Sequence, residues 1–177
     1  MNGDAINTDL TKRVRDLVRL MDDMRELYGQ LFTCIDSRLA AMKRADWEAM
    51  HAGGERSRSI TVRLAERDGL RRQLLDAIGR ELGLPPSAGR TLTVSDLAAR
   101  ISPDEASALQ AAANRLRPVM AGVGQANRVA GFVARGILEH LRWVFEAVVP
   151  RTEHSGGYGG DGAAAAPSNA ILFETLG

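Results

Sequence analysis

Hydrophobic residues recur at intervals of three and four along most of this chain, and that spacing predicts long helices. The first such run begins at Leu10 and alternates steps of four and three, as expected for a helix that buries one stripe. Apolar residues beside the stripe, such as Leu20 and Leu27, widen it and predict packing against more than one helix. The seam of this first helix is Leu10, Val14, Leu17, Met21, Met24, Tyr28, Leu31, Ile35, Arg38, Met42, Ala45 and Ala49.

Glycine and proline mark the predicted ends of the first two helices. The pair Gly53-Gly54 is predicted to end the first helix, placed over about residues 9–51, because paired glycines disfavour helical structure. The second helix is predicted over 55–83 and ends before Pro85-Pro86, since proline cannot continue the helical hydrogen bonding. Because so short a turn joins them, the two helices are predicted to form an antiparallel hairpin.

Two capping signals predict the starts of the remaining helices. Thr93 and Asp96 have the spacing of a capping box, in which each side chain bonds the backbone N–H of the other residue, and predict a short helix over 94–101. Ser102 and Glu105 repeat that spacing with a proline at the first helical position between them. This second signal predicts the start of a longer helix.

The last long helix is predicted over 103–149 and contains Pro118, which predicts either a kink or two helices broken beside the proline. Asn127 stands at a seam position among apolar residues. An amide there is either buried, where it fixes the register of the helices, or turned toward a partner as a polar anchor. The seam is Ala106, Leu109, Ala113, Leu116, Met120, Val123, Asn127, Ala130, Ala134, Ile137, Leu141, Val144 and Val148.

Together these patterns predict an all-α fold, an elongated antiparallel helical hairpin or bundle with coiled-coil-like packing. The composition agrees, because 45% of the residues are hydrophobic and only 5% aromatic, and cores poor in aromatic residues are usually helical. The two tryptophans, Trp47 and Trp143, are interpreted as core edges more readily than as partner contacts. We predict one domain over residues 1–150. Residues 151–177 are rich in glycine and alanine and predict a flexible tail that carries an apolar segment at 171–176.

The sequence offers little for catalysis or metal binding. Cys34 is the only cysteine, which rules out an internal disulfide and a cysteine-rich zinc site. The three histidines lack the spacing of metal ligands, and the chain has neither a phosphate-binding loop nor a dinucleotide fingerprint. We therefore expect no enzymatic activity, no catalytic residue, no metal and no cofactor.

Charge and hydropathy argue against nucleic-acid and membrane partners. The formal net charge is +1, so no overall field favours DNA or RNA. The arginines of the second helix alternate with carboxylates, which favours ion pairs within the helix; they are Arg56, Arg58, Arg63, Arg67, Arg71, Arg72 and Arg80. No apolar run approaches the ~20 residues that cross a bilayer, and no apolar stretch follows the first basic residues. The expected location is the cytoplasm, without membrane insertion.

The layout resembles that of the FlgN family of flagellar export chaperones over about residues 10–160. Shared features are a long first helix, an arginine- and leucine-rich second helix, a short threonine–leucine element, an asparagine in the last helix and a tail with tyrosine followed by glycine. The segments that carry them are 67–75, 82–84, 91–97, 125–127 and 157–162.

The resemblance implies a cytoplasmic, non-enzymatic chaperone of flagellar type III export. Such a protein binds hook-associated proteins of the FlgK and FlgL type and keeps them unpolymerised and export-competent, and components of the export apparatus are further partners to consider. The resemblance also implies that the C-terminal helical region binds the cargo. On this chain the corresponding residues are Asn127, Ile137, Leu141, Val144, Phe145 and Val148.

Two other functions fit the same residues. One is a structural or scaffolding coiled-coil protein that self-associates through its heptads, and the other is a nucleic-acid-binding protein that uses the arginine-rich second helix. The seams could close within one chain or between chains, so both a monomer and a dimer fit the pattern. The apolar segment 171–176 could occupy the cargo-binding groove or recruit a second partner.

Overall fold

The computed structural model describes residues 2–85 and 92–148, with side chains from residue 9 onward, and these residues form helices and turns without a strand. The helices are α1 (Asn2–Lys43), α2 (Trp47–Glu81), α3 (Val94–Ala98) and α4 (Pro103–Val148). The predicted all-α class is therefore confirmed, and long helices pack against each other. The chain divides into a first compact unit through Leu138 and a second from Glu139, and each is described by itself below. The single domain over 1–150 stays a prediction, and the tail at 151–177 lies outside the described residues.

The turn between α1 and α2 corrects the predicted position at Gly53-Gly54. α1 ends at Lys43 and α2 begins at Trp47, so the chain reverses at residues 44–46. Asp46 caps α2, because its Oδ1 accepts a hydrogen bond of 3.0 Å from the backbone N–H of Ala49. Ala45 adopts a left-handed conformation with φ of 53°. An aspartate cap thus starts the second helix upstream of the glycines.

Gly53 and Gly54 lie inside α2, where the first of them allows close contact with α1. Gly53 is buried, and a Cβ placed on it would lie 3.4 Å from the Cβ of Arg38. The Cys34 thiol donates a hydrogen bond of 3.2 Å to the Gly53 carbonyl oxygen. Glycine carries an intrinsic cost of about 1 kcal/mol in a helix, and α2 continues through both glycines nevertheless.

The larger core cluster joins all four helices in the first unit. α1 contributes the largest share, and the single turn of α3 contributes Leu97, which is almost fully buried. The same cluster is contacted by the partly buried residues Leu92, Val94 and Ile101. The short threonine–leucine element of the sequence therefore contributes apolar side chains to the core. The buried members are Val14, Leu17, Leu20, Met21, Met24, Leu75, Ile78, Leu97, Leu109, Ala112, Ala113 and Leu116.

A second core cluster continues the packing of α1, α2 and α4. Its buried members are Leu27, Leu31, Ile35, Leu64, Val123 and Ala130. Next to Val123 on α4, Gly122 lies against the ring of Phe32, and a Cβ on it would be 3.7 Å from that ring. The order of the contacts shows that α4 runs in the direction of α1, whereas α2 runs opposite to both.

Charged side chains join the helices at the edge of the core. Arg13 of α1 pairs with Glu81 of α2, and Asp23 lies 3.9 Å from Arg67. Asp22 accepts two hydrogen bonds, of 2.9 and 3.0 Å, from Nη2 of Arg115 on α4. These pairs link α1 to both of its neighbours.

The starts of α3 and α4 confirm the two predicted capping boxes. The Thr93 hydroxyl accepts from the Asp96 N–H at 3.1 Å, and the Asp96 carboxylate accepts from the Thr93 N–H at the same distance. Ser102 and Glu105 bond in the same reciprocal way. Burial raises the pKa of Glu105, but hydrogen bonds from Thr11 and Ser102 outweigh it and hold that pKa below its usual value. α3 ends at Ala98, earlier than the predicted residue 101, which leaves room for the second cap.

α4 is one helix through Pro118, so the alternative of two broken helices is not observed. Proline removes the hydrogen bond to the carbonyl of Asn114, four residues earlier. Both residues are exposed, and water can therefore satisfy that carbonyl. The interruption is tolerated because it lies on the solvent side of the helix.

The buried face of α4 shares one row with the predicted seam and differs in the other. The shared row, buried at intervals of seven, is Leu109, Leu116, Val123 and Ala130. In the other row Val119 and Ala126 are half-buried. Met120 and Asn127, which the predicted seam contains, are exposed. The interpretation of Asn127 as a buried amide is therefore wrong.

Candidate functional site

The last ten described residues, in the second unit, form a helical segment whose apolar side chains are uncovered. None of the residues from 139 to 148 is buried. Phe145 is 65% exposed and Val148 is 72% exposed, while Leu141 is also exposed and Val144 is half-buried. A contiguous patch of exposed large apolar side chains is a candidate interaction site, because single exposed apolar residues are common but contiguous patches are not.

The segment from 139 to 148 brings four predicted site residues to one face. Leu141, Val144, Phe145 and Val148 follow each other at helical offsets of three, four and seven. Residues at those offsets lie on the same side of a helix. We call this set the α4 apolar face.

The other two predicted site residues belong to the first unit. Asn127 is exposed, and its amide can therefore serve as an anchor for a partner. Ile137 is half-buried and has less surface to offer.

Aromatic side chains that the sequence analysis discounted are also exposed. Trp143 is 66% exposed, and its ring stacks on that of His140, with the centroids 6.1 Å apart. Trp47 is even more exposed, so neither tryptophan is the edge of a core. Phe132, in the first unit, was overlooked although it is exposed and lies outside the heptad seam. An apolar residue away from the stripe was the signal that could have identified it.

Polar side chains lie between the apolar side chains of the segment from 139 to 148. Arg142 donates from Nε to Oε1 of Glu146 at 2.9 Å, one helical turn away. Such an exposed pair contributes only a few tenths of a kcal/mol. The Arg142–Glu146 pair forms a polar, solvent-exposed side of the segment next to the α4 apolar face.

Three of the seven arginines of α2 form ion pairs within the helix, so the sequence prediction is confirmed for those three. Arg71 and Arg72 both hydrogen-bond Asp68, and these bonds, the one from Arg72 first, hold the pKa of Asp68 below its usual value. Arg58 pairs with Glu55 at 2.7 Å. Arginines paired with a carboxylate are less available to a phosphate, which reduces the uncompensated charge of α2 on which nucleic-acid binding depends. Arg56 and Arg80 hydrogen-bond backbone carbonyls instead and keep their charge.

The described part of the chain holds no constellation suited to catalysis. Within it, no group of three or more histidine, cysteine, aspartate or glutamate side chains could hold a metal ion. The Cys34 sulfur accepts from the Ser57 hydroxyl at 3.3 Å and has no histidine partner. What the geometry does provide is an uncovered apolar helix face.

Comparison with known proteins gives a family match. The sequence model of the family described as FlgN protein matches residues 13–166, most of the chain. A search of curated proteins and a search of solved structures each found no significant match. None of the described helices is long and apolar enough to span a bilayer.

Proposed function

Because the chain belongs to the FlgN family of flagellar export chaperones, we propose that its cargo is a hook-associated protein of the FlgK or FlgL type. In this proposal the protein keeps its cargo unpolymerised and export-competent in the cytoplasm and needs no cofactor. The observation that carries it is the α4 apolar face, which is uncovered among the described residues. Asn127, as a polar anchor, and Ile137, as an apolar contact, belong to the first unit and are proposed separately as cargo contacts.

The physical basis of binding is burial of apolar surface. An amphipathic helix of the cargo could lie along α4 and cover Leu141, Phe145 and Val148, in the manner of a helix in a groove. Each square ångström of apolar surface removed from water contributes about 25 cal/mol. The same contact covers apolar surface on the cargo, which would otherwise drive its self-assembly.

Release at the export apparatus requires an affinity that is not too high. A cargo segment that folds only on binding spends part of its interaction energy on ordering, at a cost of about 2–5 kcal/mol. A small apolar face coupled to folding therefore suits a carrier that must both hold and release its cargo.

The test compares two leucines with nearly the same exposure. Leu141, on the α4 apolar face, is 46% exposed, and Leu70, on α2, is 43% exposed. We expect Leu141→Lys to weaken binding to the FlgK- or FlgL-like protein by at least about tenfold, because it loses apolar burial and places an ammonium in the contact. Leu70→Lys should bind as the unsubstituted protein does.

The measurement is co-expression followed by size-exclusion chromatography with light scattering, and isothermal titration for the affinity. Circular dichroism checks that both variants keep their helical content. If Leu141→Lys and Leu70→Lys bind the cargo equally well, the site lies elsewhere. If the unsubstituted protein and its cargo elute separately while this chain forms a concentration-dependent oligomer, the scaffolding function takes the place of the chaperone function.

A further inference from the structure

The α4 apolar face is exposed, and the sequence after α4 contains a second apolar segment. We propose that residues 170–176 dock on this face of the same molecule and compete with cargo for it. The competition rests on the proposed function, whereas the docking does not.

The composition of the chain after α4 singles out this segment. Residues 151–169 contain Tyr158 as their only large apolar side chain, amid glycine, alanine and polar residues. Four large apolar residues then occur within seven positions: Ile171, Leu172, Phe173 and Leu176. On a helical turn, Leu172, Phe173 and Leu176 would share one side, since they stand at offsets of three and four. The apolar residues of the segment thus have the same spacing as those of the α4 apolar face.

The length of the connection allows the segment to return to α4. Residues 149–169 separate Val148, the last residue of α4, from the segment. A flexible chain of that length and composition has a root-mean-square end-to-end distance of about 25 Å. The face from Leu141 to Val148 extends over only about 10 Å of helix. A connection of that length would be long enough to reach every part of the face.

Tethering favours this occupant over a second copy of the protein. A short flexible linker gives the attached segment an effective concentration on the order of 1 mM. A contact with an intrinsic Kd of about 0.1 mM would then be formed in about nine molecules of ten. A second chain at micromolar concentration would occupy the same face in a few per cent of molecules or fewer.

Two matched double variants of the full chain test the docking. Leu172→Asp with Phe173→Asp places two charges in the segment, whereas Ala164→Asp with Ala165→Asp adds the same two charges to the linker. Hydrogen–deuterium exchange of the amides at 139–148 reports on the cover. We expect exchange about tenfold faster in the first variant and unchanged in the second, since a face covered nine-tenths of the time opens correspondingly less often.

Equal exchange in the unsubstituted protein and both variants would overturn the proposal. So would protection that increases with protein concentration, because a second copy would then be the cover. A synthetic peptide of residues 168–177 provides the converse measurement, and we expect it to restore slow exchange when added at millimolar concentration to the Leu172→Asp, Phe173→Asp variant.

The competition is read from cargo affinity. If docking masks the face in about nine molecules of ten, the Leu172→Asp, Phe173→Asp variant should bind the FlgK- or FlgL-like protein about tenfold more tightly than the linker variant. Faster exchange with unchanged cargo affinity would overturn the competition. Faster exchange in a protein that binds neither cargo would support the docking and refute the proposed function, so the two failures are distinguishable.

Discussion

Replacing Gly54 by alanine should stabilise the protein, although a pair of glycines ordinarily marks a turn. Gly54 lies inside α2, and a Cβ added to it would meet no atom within 4 Å. The Gly54→Ala substitution therefore changes only the helix propensity of this position, which favours alanine by about 0.8–1.0 kcal/mol. For a chain of this size we expect the melting temperature to rise by about 2–4 °C.

Three companion variants set the scale of that measurement. Gly69 also lies inside α2 with open space around it, so Gly69→Ala should give the same gain and serves as the control. Gly53→Ala should gain less than either, because its Cβ would lie 3.4 Å from that of Arg38, at the short end of ordinary van der Waals contact. Asp46→Ala should lose about 1 kcal/mol, because it removes the cap of α2.

The assay is urea and thermal unfolding followed by circular dichroism at the helical band, with one protein concentration for all variants. The turn at residues 44–46 would be refuted if Gly54→Ala lowered the stability while Gly69→Ala raised it and Asp46→Ala had no effect. That combination would return the turn to Gly53-Gly54, because a Cβ makes the left-handed conformation of a helix end more costly than it is for glycine.

Two further predictions concern the core and the charge pairs. Leu109 is fully buried, so Leu109→Ala should cost about 2–5 kcal/mol in the free energy of unfolding by urea, whereas exposed Leu138→Ala should stay within about 0.5 kcal/mol. Asp68 has a folded-state pKa below its unfolded value, so its stabilisation is complete above an unfolded pKa of about 3.9 and is lost as the pH falls through the folded pKa. Urea midpoints from pH 7 to pH 2.5 should therefore show Asp68→Asn as less stable at neutral pH and equal to the unsubstituted protein in strong acid; a constant difference would contradict this origin of the shift.

The sequence predicts the helices better than it predicts their partners. Capping boxes at Thr93 and Ser102 act within a few residues, so their chemistry is readable locally, and the structure confirms both. The row of α4 through Leu109 and Val123 also follows from the sequence. The second row of the buried face could not be predicted from the sequence. A row through Met120 and Asn127 and a row through Val119 and Ala126 both keep the alternation of three and four residues. Only the placement of α1 and α2 decides between the rows.

The candidate site shows a similar division. Periodicity places Leu141 and Val148 on one face, as the structure does, but a periodic stripe does not tell whether another helix covers it. The same kind of stripe is buried at Val123 and uncovered at Val148. Gly53 failed as a turn signal for a related reason, since its function depends on Arg38 of the opposing helix.

The core clusters contain no buried polar residue among the residues that the structure describes. Leucine, alanine and methionine at seven-residue intervals would meet similar side chains if one helix slid by two turns along its neighbour, so the interior barely distinguishes the two alignments. The short turn at residues 44–46 holds α1 and α2 in one alignment. Charged pairs at the periphery add to the discrimination, since Arg13–Glu81, Asp23–Arg67 and Asp22–Arg115 would all be broken if α1 slid. Pairs of this kind weaken as ionic strength rises. The alignment of α4 on α1, where no short turn connects the two helices, therefore depends in part on a contact that salt can weaken.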